Sequence, residues 1–159
     1  MTTVRDVLRV VRLFAEVAVV AALLWSWWWR PSTGFAANGD FFWDPRSIEG
    51  SITGTASYLV VASAAGFLTG AVVAVRHLAR PWVALGATGL AAAAAGVLTG
   101  WIGHLLGPED PVEVAARSAD GSRVAIDLQV EGIGAYAAMP AAALSAVALV
   151  LLLWPRRGD

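Results

Sequence analysis

The fold is decided by two uncharged segments, TGTASYLVVASAAGFLTGAVVAV at residues 53–75 and PWVALGATGLAAAAAGVLTGWIGHLLG at residues 81–107. A short basic turn, RHLAR at 76–80, separates them. Each segment exceeds the roughly 20 apolar residues that an α-helix needs to cross the hydrocarbon core of a bilayer. A helix that is apolar on all sides must be surrounded by lipid or by a very large protein. With 159 residues this chain is not very large, so the segments predict two membrane-spanning helices.

Both segments contain one repeated phrase, AAGFLTG at 64–70 and AAGVLTG at 94–100. Each copy holds a GxxxG pattern, which lets helix backbones approach closely in lipid. Residues four apart share a helix face, and other small residues continue both patterns at that spacing. We therefore expect these faces to pack on each other or on flanking helices, through Gly66, Gly70, Gly96 and Gly100. Two origins of the repeat stay open: an inverted duplication, and coincidence in a chain rich in alanine and glycine.

The composition is that of a membrane protein, with 58% hydrophobic residues, 14% charged residues and a mean hydropathy of +0.66. The net charge of −1 provides no basic field for nucleic acid. The absence of cysteine excludes disulfides and cysteine-based metal sites. The sequence has no phosphate-binding loop, nucleophile elbow, zinc-protease motif or dinucleotide fingerprint. We therefore expect no enzymatic activity, no cofactor and no metal.

We predict an all-α membrane protein in which four transmembrane helices form an antiparallel bundle, with a small extracytoplasmic β-hairpin. The whole chain, residues 1–159, is expected to form a single integral membrane domain. The predicted spans cover about 10–29, 54–76, 81–106 and 133–154, and the external loops cover 30–53 and 107–132. A tryptophan cluster at 25–29 favours a retained first helix over a cleaved signal peptide, because tryptophan anchors helices at membrane interfaces. Pro140 is expected to kink the fourth span.

The arginines predict the orientation. Seven of the eleven lie on the side of the chain ends and of the turn at 76–80, and four lie in the predicted external loops. Loops that stay in the cytoplasm carry the excess of basic residues. We therefore expect a multi-pass protein of the cell (plasma) membrane with both termini in the cytoplasm.

The two external loops have different patterns. The first carries four aromatic residues, which are expected either to lie in the membrane interface or to contact a partner: Phe35, Phe41, Phe42 and Trp43. In the second, apolar and polar residues alternate on both sides of Asp120-Gly121, which predicts a β-hairpin. A lone hairpin is marginally stable, so its apolar face must cover the aromatic loop, the membrane surface or another protein.

Two ionisable residues are functional candidates because they lie within predicted spans. Glu16 is the one acid inside a span, and it is either functional or paired with Arg12, four residues earlier. His104 lies near the outer end of the third span, where it would relay a proton, sense external pH, or bond to a neighbouring helix or to interfacial water.

The glycine-rich third span runs into Gly103-His104-Leu105-Leu106-Gly107-Pro108, and Asp120-Gly121 follows in the next loop. With its order of spans and loops, the chain resembles the small four-span membrane proteins of unknown function that high-GC Gram-positive bacteria encode. The resemblance implies a location in the cell membrane. It implies no activity and no functional residue.

Two functions are compatible with these patterns. The first is a non-enzymatic accessory or scaffold subunit of a cell-envelope membrane complex, because the sequence lacks catalytic motifs and has close-packing faces. Its partners would be the lipid bilayer and another protein or a second copy, bound through the membrane helices and the external hairpin. The second is a small oligomeric transporter or channel component, assembled through the GxxxG faces, with a hydrated path past Glu16 or His104.

Overall fold

A computed structural model describes residues 2–44, 47–76 and 81–153 of the chain, and most of these residues are helical. The elements are, in order, α1 (Thr2–Trp28), β1 (Thr33–Ala37), β2 (Asp40–Phe42), α2 (Ser47–Arg76), α3 (Pro81–Leu106), α4 (Pro111–Ala116), β3 (Arg123–Ala125), a 3₁₀ helix (Ile133–Ala137) and α5 (Ala138–Leu153). The helical class and the presence of a small antiparallel sheet agree with the sequence prediction.

Three segments among the described residues are long and apolar enough to cross a membrane: Ile52–Arg76, Leu85–Ala116 and Ile133–Leu153. They correspond to α2, to most of α3 with the residues after it, and to the 3₁₀ helix with α5. Helix α1 is not among them, and it carries charged side chains as far along as Glu16. Its role as a fourth span therefore stays a prediction.

The helices form a ring in which α1 packs on α3, α3 on α5, α5 on α2, and α2 on α1. Helices α2 and α3, which follow each other in the chain, pack mainly on α5 and α1 rather than on each other. The interior contains large apolar side chains that are fully buried, including Phe14, Trp25, Tyr58 and Met139.

Aromatic rings join three sides of this interior. Trp25 and Tyr58 meet edge to face with ring centroids 5.2 Å apart, and Tyr58 meets Tyr136 in the same way at 5.7 Å. Their polar atoms have partners: Trp25 Nε1 donates to the Gly54 carbonyl at 3.0 Å, and the Tyr58 hydroxyl donates to the Gly96 carbonyl at 2.8 Å. Buried polar groups need such partners, so these bonds define the positions of both rings.

The two loops at one end of the bundle, residues 30–44 and 107–132, fold together, and we call them the cap. Its sheet is antiparallel with the order β2-β1-β3, so β1 pairs with strands from both loops. Asn38 and Gly39 connect β1 to β2 with φ of 53° and 80°, as the tight turn of a two-residue hairpin requires. One sheet face packs on α4 around Ala36, Ala115 and Val124.

The hairpin predicted around Asp120-Gly121 is wrong. The residues before this turn form α4, and only Arg123–Ala125 after it is a strand, which pairs with β1 of the first loop. The missed signal is Asp110-Pro111. The Asp110 side chain accepts a hydrogen bond from Val112 N at 2.8 Å, and Pro111 occupies the first helical turn, where its missing N–H costs nothing.

The element boundaries differ from the predicted spans at several ends. Helix α2 begins at Ser47, within the predicted loop 30–53, and α1 begins at Thr2. Pro140 lies in the first turn of α5, where no backbone donor is needed, and the irregular part is the 3₁₀ helix before it. The turn residues 77–80, Trp154 and the two C-terminal arginines lie outside the described residues.

Candidate functional site

The glycines of the first repeat copy lie against the backbone of α5. A Cβ atom on Gly66 would overlap the carbonyl oxygen of Met139, and one on Gly70 would overlap that of Ala143. Glycine is therefore required at both positions for α2 and α5 to lie this close.

The glycines of the second copy lie against Tyr136, in the 3₁₀ helix that precedes α5. A Cβ on Gly96 would be 3.1 Å from the Tyr136 carbonyl oxygen, and one on Gly100 would be 2.7 Å from Cε1 of the Tyr136 ring. Gly96 also meets the Tyr58 hydroxyl of α2, and the glycines of both copies lie on the segment 136–143, which they hold between them. This contact with a flanking element is one of the two arrangements that the sequence leaves open.

The cap is tied to the bundle through residues 126–131. Leu128 is fully buried, and its backbone lies so close to Gly107 that a Cβ there would be 3.0 Å from Leu128 N. The Glu131 N–H donates to Thr55 Oγ1 at 3.0 Å. The apolar side chain of Leu128 is therefore covered within the chain itself, by the helix ends.

His104 lies at this junction. Its side chain is half exposed, and Nδ1 is 3.3 Å from the Leu128 carbonyl oxygen and 3.8 Å from Oδ2 of Asp127. Asp127 is buried with 8% of its surface exposed, and its carboxylate also accepts a hydrogen bond from the Gln129 amide. His104 thus connects the end of α3 to the irregular cap segment 126–131.

A cleft of about 330 Å³ opens between the cap and the bundle. Its walls combine aromatic and acidic side chains, chiefly Trp29, Trp43, Asp110, Asp127 and Glu131. Trp29 is buried, and its indole N–H has no hydrogen-bond partner in the described part of the chain. Within the same residues, no three His, Cys, Asp or Glu side chains lie close enough to hold a metal ion.

Glu16 lies on the outer surface of the bundle. Its carboxylate accepts from Arg12 Nε at 2.7 Å, as their four-residue spacing predicts, and both side chains are exposed. Glu16 also borders an apolar groove between α1 and α2. The structure therefore places Glu16 on a helix surface and His104 at the cap junction, and does not bring them together.

Side chains fill the interior between these two residues. Trp25 and Tyr58 are fully buried there. The buried Thr99 hydroxyl donates to Ala95 O of its own helix at 2.8 Å and also lies 3.3 Å from Ala18 O of α1. Thr88 is fully buried, and its hydroxyl has no partner among the described residues.

Three residues at the cap junction were missed by sequence reasoning. Asp127 occupies a position that the alternating pattern predicts to face solvent, because that pattern assumes a regular strand. Trp29 and Trp43 have the composition signal of interfacial anchors, which does not distinguish a lipid contact from a cleft wall. The pairing of β1 with β3, which brings these residues together, has no local signal.

The chain matches no protein-family model, no curated protein and no solved structure. Its function must therefore be inferred from its own surfaces, interior and charges.

Proposed function

We propose that the chain is a four-span integral protein of the plasma membrane, with both termini in the cytoplasm and the cap outside. Three helices have the length and composition of spans, and α1 packs beside two of them in the same bundle. The charged part of α1 ends at Glu16, and the uncharged remainder reaches the tryptophans at its end. The excess of arginines on the side opposite the cap supports this orientation.

Within this membrane protein, the cap serves to bind a partner protein, so that the chain is a non-enzymatic accessory or scaffold subunit of an envelope complex. One observation carries this proposal. The sheet face opposite α4 presents the cross-strand row Phe42, Phe35 and Arg123, in which the two rings stack with centroids 6.2 Å apart. Both phenylalanines are more than 40% exposed. Aromatic and arginine side chains are the types enriched at the energetic centres of interfaces.

The packed interior supports a scaffold over a carrier. An oligomeric transporter would need its GxxxG faces for assembly, but the segment 136–143 of the same chain covers these faces. Two apolar residues of the second loop that the alternating pattern contains are also covered internally: Val124 by α4 and β1, and Leu128 by the helix ends. The exposed sheet face is therefore the surface on which the partner proposal rests.

A photoreactive amino acid at Phe35 tests this proposal in intact membranes. We expect ultraviolet light to capture one predominant protein, and Phe42→Ala together with Arg123→Ala to reduce the capture at least tenfold. The matched control places the same probe at Val112, which is exposed on α4 outside this sheet face. Capture of lipid alone at Phe35 would instead assign the aromatic face to the membrane interface and reject the partner.

A further inference from the structure

An apolar groove of about 480 Å³ runs along the outside of the bundle between α1 and α2. It forms because α1 buries the face that carries Phe14 and Trp25. The adjacent face, from Leu13 to Trp28, is left open beside α2. On α2 the wall is lined by residues from Val60 to Thr69, with Ala64 exposed at its centre.

The groove is long and almost wholly apolar. Its α1 wall spans 15 residue steps, which at 1.5 Å per residue is about 22 Å. Apart from Glu16 at one end and the buried Thr69, the side chains that line it are aliphatic or aromatic. A long hydrocarbon chain matches both the shape and the chemistry of this groove.

Both walls lead to arginines at the end opposite the cap. On α1, Arg12 and Arg9 come one turn before Glu16 and Leu13 of the groove, and on α2, Arg76 comes two turns after Leu68. The chain reverses through the cap between these two helices, so the three exposed arginines lie at the same end of the groove.

Two carboxylates reduce the positive charge at this end without cancelling it. Arg9 pairs with Asp6 at 3.2 Å and Arg12 with Glu16 at 2.7 Å. With Arg5 and Arg76, this end of the two helices carries four arginines against two acids and so is net positive. Arginine binds phosphate through two parallel hydrogen bonds, and its long aliphatic stem reaches from a helix flank to a headgroup.

We infer that this groove binds one anionic phospholipid of the inner leaflet. One acyl chain lies along the groove, and the phosphate meets Arg9, Arg12 and Arg76. This inference rests on the proposed membrane topology, which puts the arginine end of the bundle at the cytoplasmic surface. Basic side chains next to a span attract anionic lipids, which are enriched on that side.

Native mass spectrometry of the purified protein tests the charge requirement. The protein is offered equal amounts of phosphatidylglycerol and phosphatidylcholine with identical acyl chains, and we expect one phosphatidylglycerol to be retained preferentially. The double variant Arg9→Gln and Arg76→Gln keeps the Arg12–Glu16 pair, and its affinity for this lipid should fall about 30-fold, or about fivefold per arginine. The matched control, Arg30→Gln and Arg123→Gln, removes the same charge at the cap end and should retain the lipid.

A second pair of variants tests the groove itself. Ala64→Phe fills the α1–α2 groove and should abolish the retained lipid. Ala94 occupies the same position in the second copy of the repeat and lines a separate groove between α1 and α3, so Ala94→Phe should keep the lipid. The two variants add the same ring to exposed alanines and differ only in the groove that they fill.

Three results would overturn the inference: equal retention of both lipids by the unmodified protein, unchanged binding by the double arginine variant, or capture of a protein by a photoreactive amino acid placed at Ala64. If alkaline carbonate extracts the chain from membranes, both the proposed topology and the lipid inference are overturned. A firmly inserted chain that captures a partner at Phe35 but shows no lipid preference would reject the lipid site alone.

Discussion

At the residue scale, the contact between α2 and α5 depends on two glycines, which have no Cβ atom to separate the backbones. Gly66 and Gly70 bring the α2 backbone directly onto the carbonyl groups of Met139 and Ala143. The sequence identifies these glycines as packing residues because GxxxG has few other uses in an apolar helix. It does not identify what they pack on, since the atoms concerned belong to another helix more than 70 residues later.

Gly70→Ala is expected to destabilise the protein by about 1–3 kcal/mol, because the added Cβ meets rigid backbone rather than a flexible side chain. Gly86→Ala is the matched control. No atom lies within 4 Å of a Cβ built on Gly86, so alanine there should be neutral or stabilise by up to about 1 kcal/mol through helix propensity. Unfolding in mixed micelles measures the change in the free energy of unfolding for both variants. Equal stability of the two variants would contradict the close α2–α5 contact.

Trp25→Phe is expected to cost about 1–3 kcal/mol, because it leaves the Gly54 carbonyl without its indole donor. Ser57 Oγ loses the same donor, which lies 3.1 Å away. Trp27→Phe serves as control, since Trp27 is 82% exposed and should change the stability by less than about 0.5 kcal/mol. Thermal unfolding in detergent distinguishes the two. A larger loss from Trp27 than from Trp25 would mean that the buried indole does not hold α1 on α2.

At the element scale, the cap departs most from its sequence pattern. Alternating residues before Asp120 predict a strand, but Asp110 and Pro111 start a helix there, and the strand β1 from the first loop pairs with β3 instead. The alternation at residues 112–116 is a weak strand signal because Ala115, at a position where the pattern requires a polar residue, is apolar and buried. By contrast, the Asn38-Gly39 dipeptide is a strong sequence signal for a two-residue hairpin turn, and the turn forms there.

Asp110→Ala is expected to weaken α4 by about 1 kcal/mol, because Val112 N loses its side-chain acceptor. Asp110→Asn should restore most of the stability, since asparagine caps helices about as well as aspartate. Hydrogen exchange at residues 112–116 reports the change directly. If both variants exchange alike, the side chain of Asp110 does not cap this helix.

At the scale of the whole molecule, the last helix organises the bundle. Glycines from α2 and α3 hold the segment 136–143 between them, so two helices that are neighbours in the chain are joined through a third. The cap covers one end of this assembly, and Leu128 inserts from it into the helix ends. A protein that spans the membrane four times in this order carries its cap and its two termini on opposite sides.

The topology can be tested without removing any native residue, because the chain contains no cysteine. A membrane-impermeant maleimide should label Ser118→Cys in intact cells, since Ser118 lies in the cap. Val4→Cys, exposed near the start of α1, should react only after the cells are permeabilised. Labelling of both positions in intact cells would show that the number of spans between them is even, not the three of the proposed topology, and would reject the four-span bundle.

The sequence by itself determined the helical class and the approximate extents of the long helices. Uncharged length, glycine spacing and charge distribution are properties of one segment at a time, and so is the pairing of Glu16 with Arg12. Only the tertiary structure decided that the two GxxxG faces hold residues 136–143, that β3 joins β1, and that Trp29 and Asp127 border one cleft. The physical reason is that each of these contacts depends on how the surfaces of two distant segments fit together, and neither segment carries that information alone.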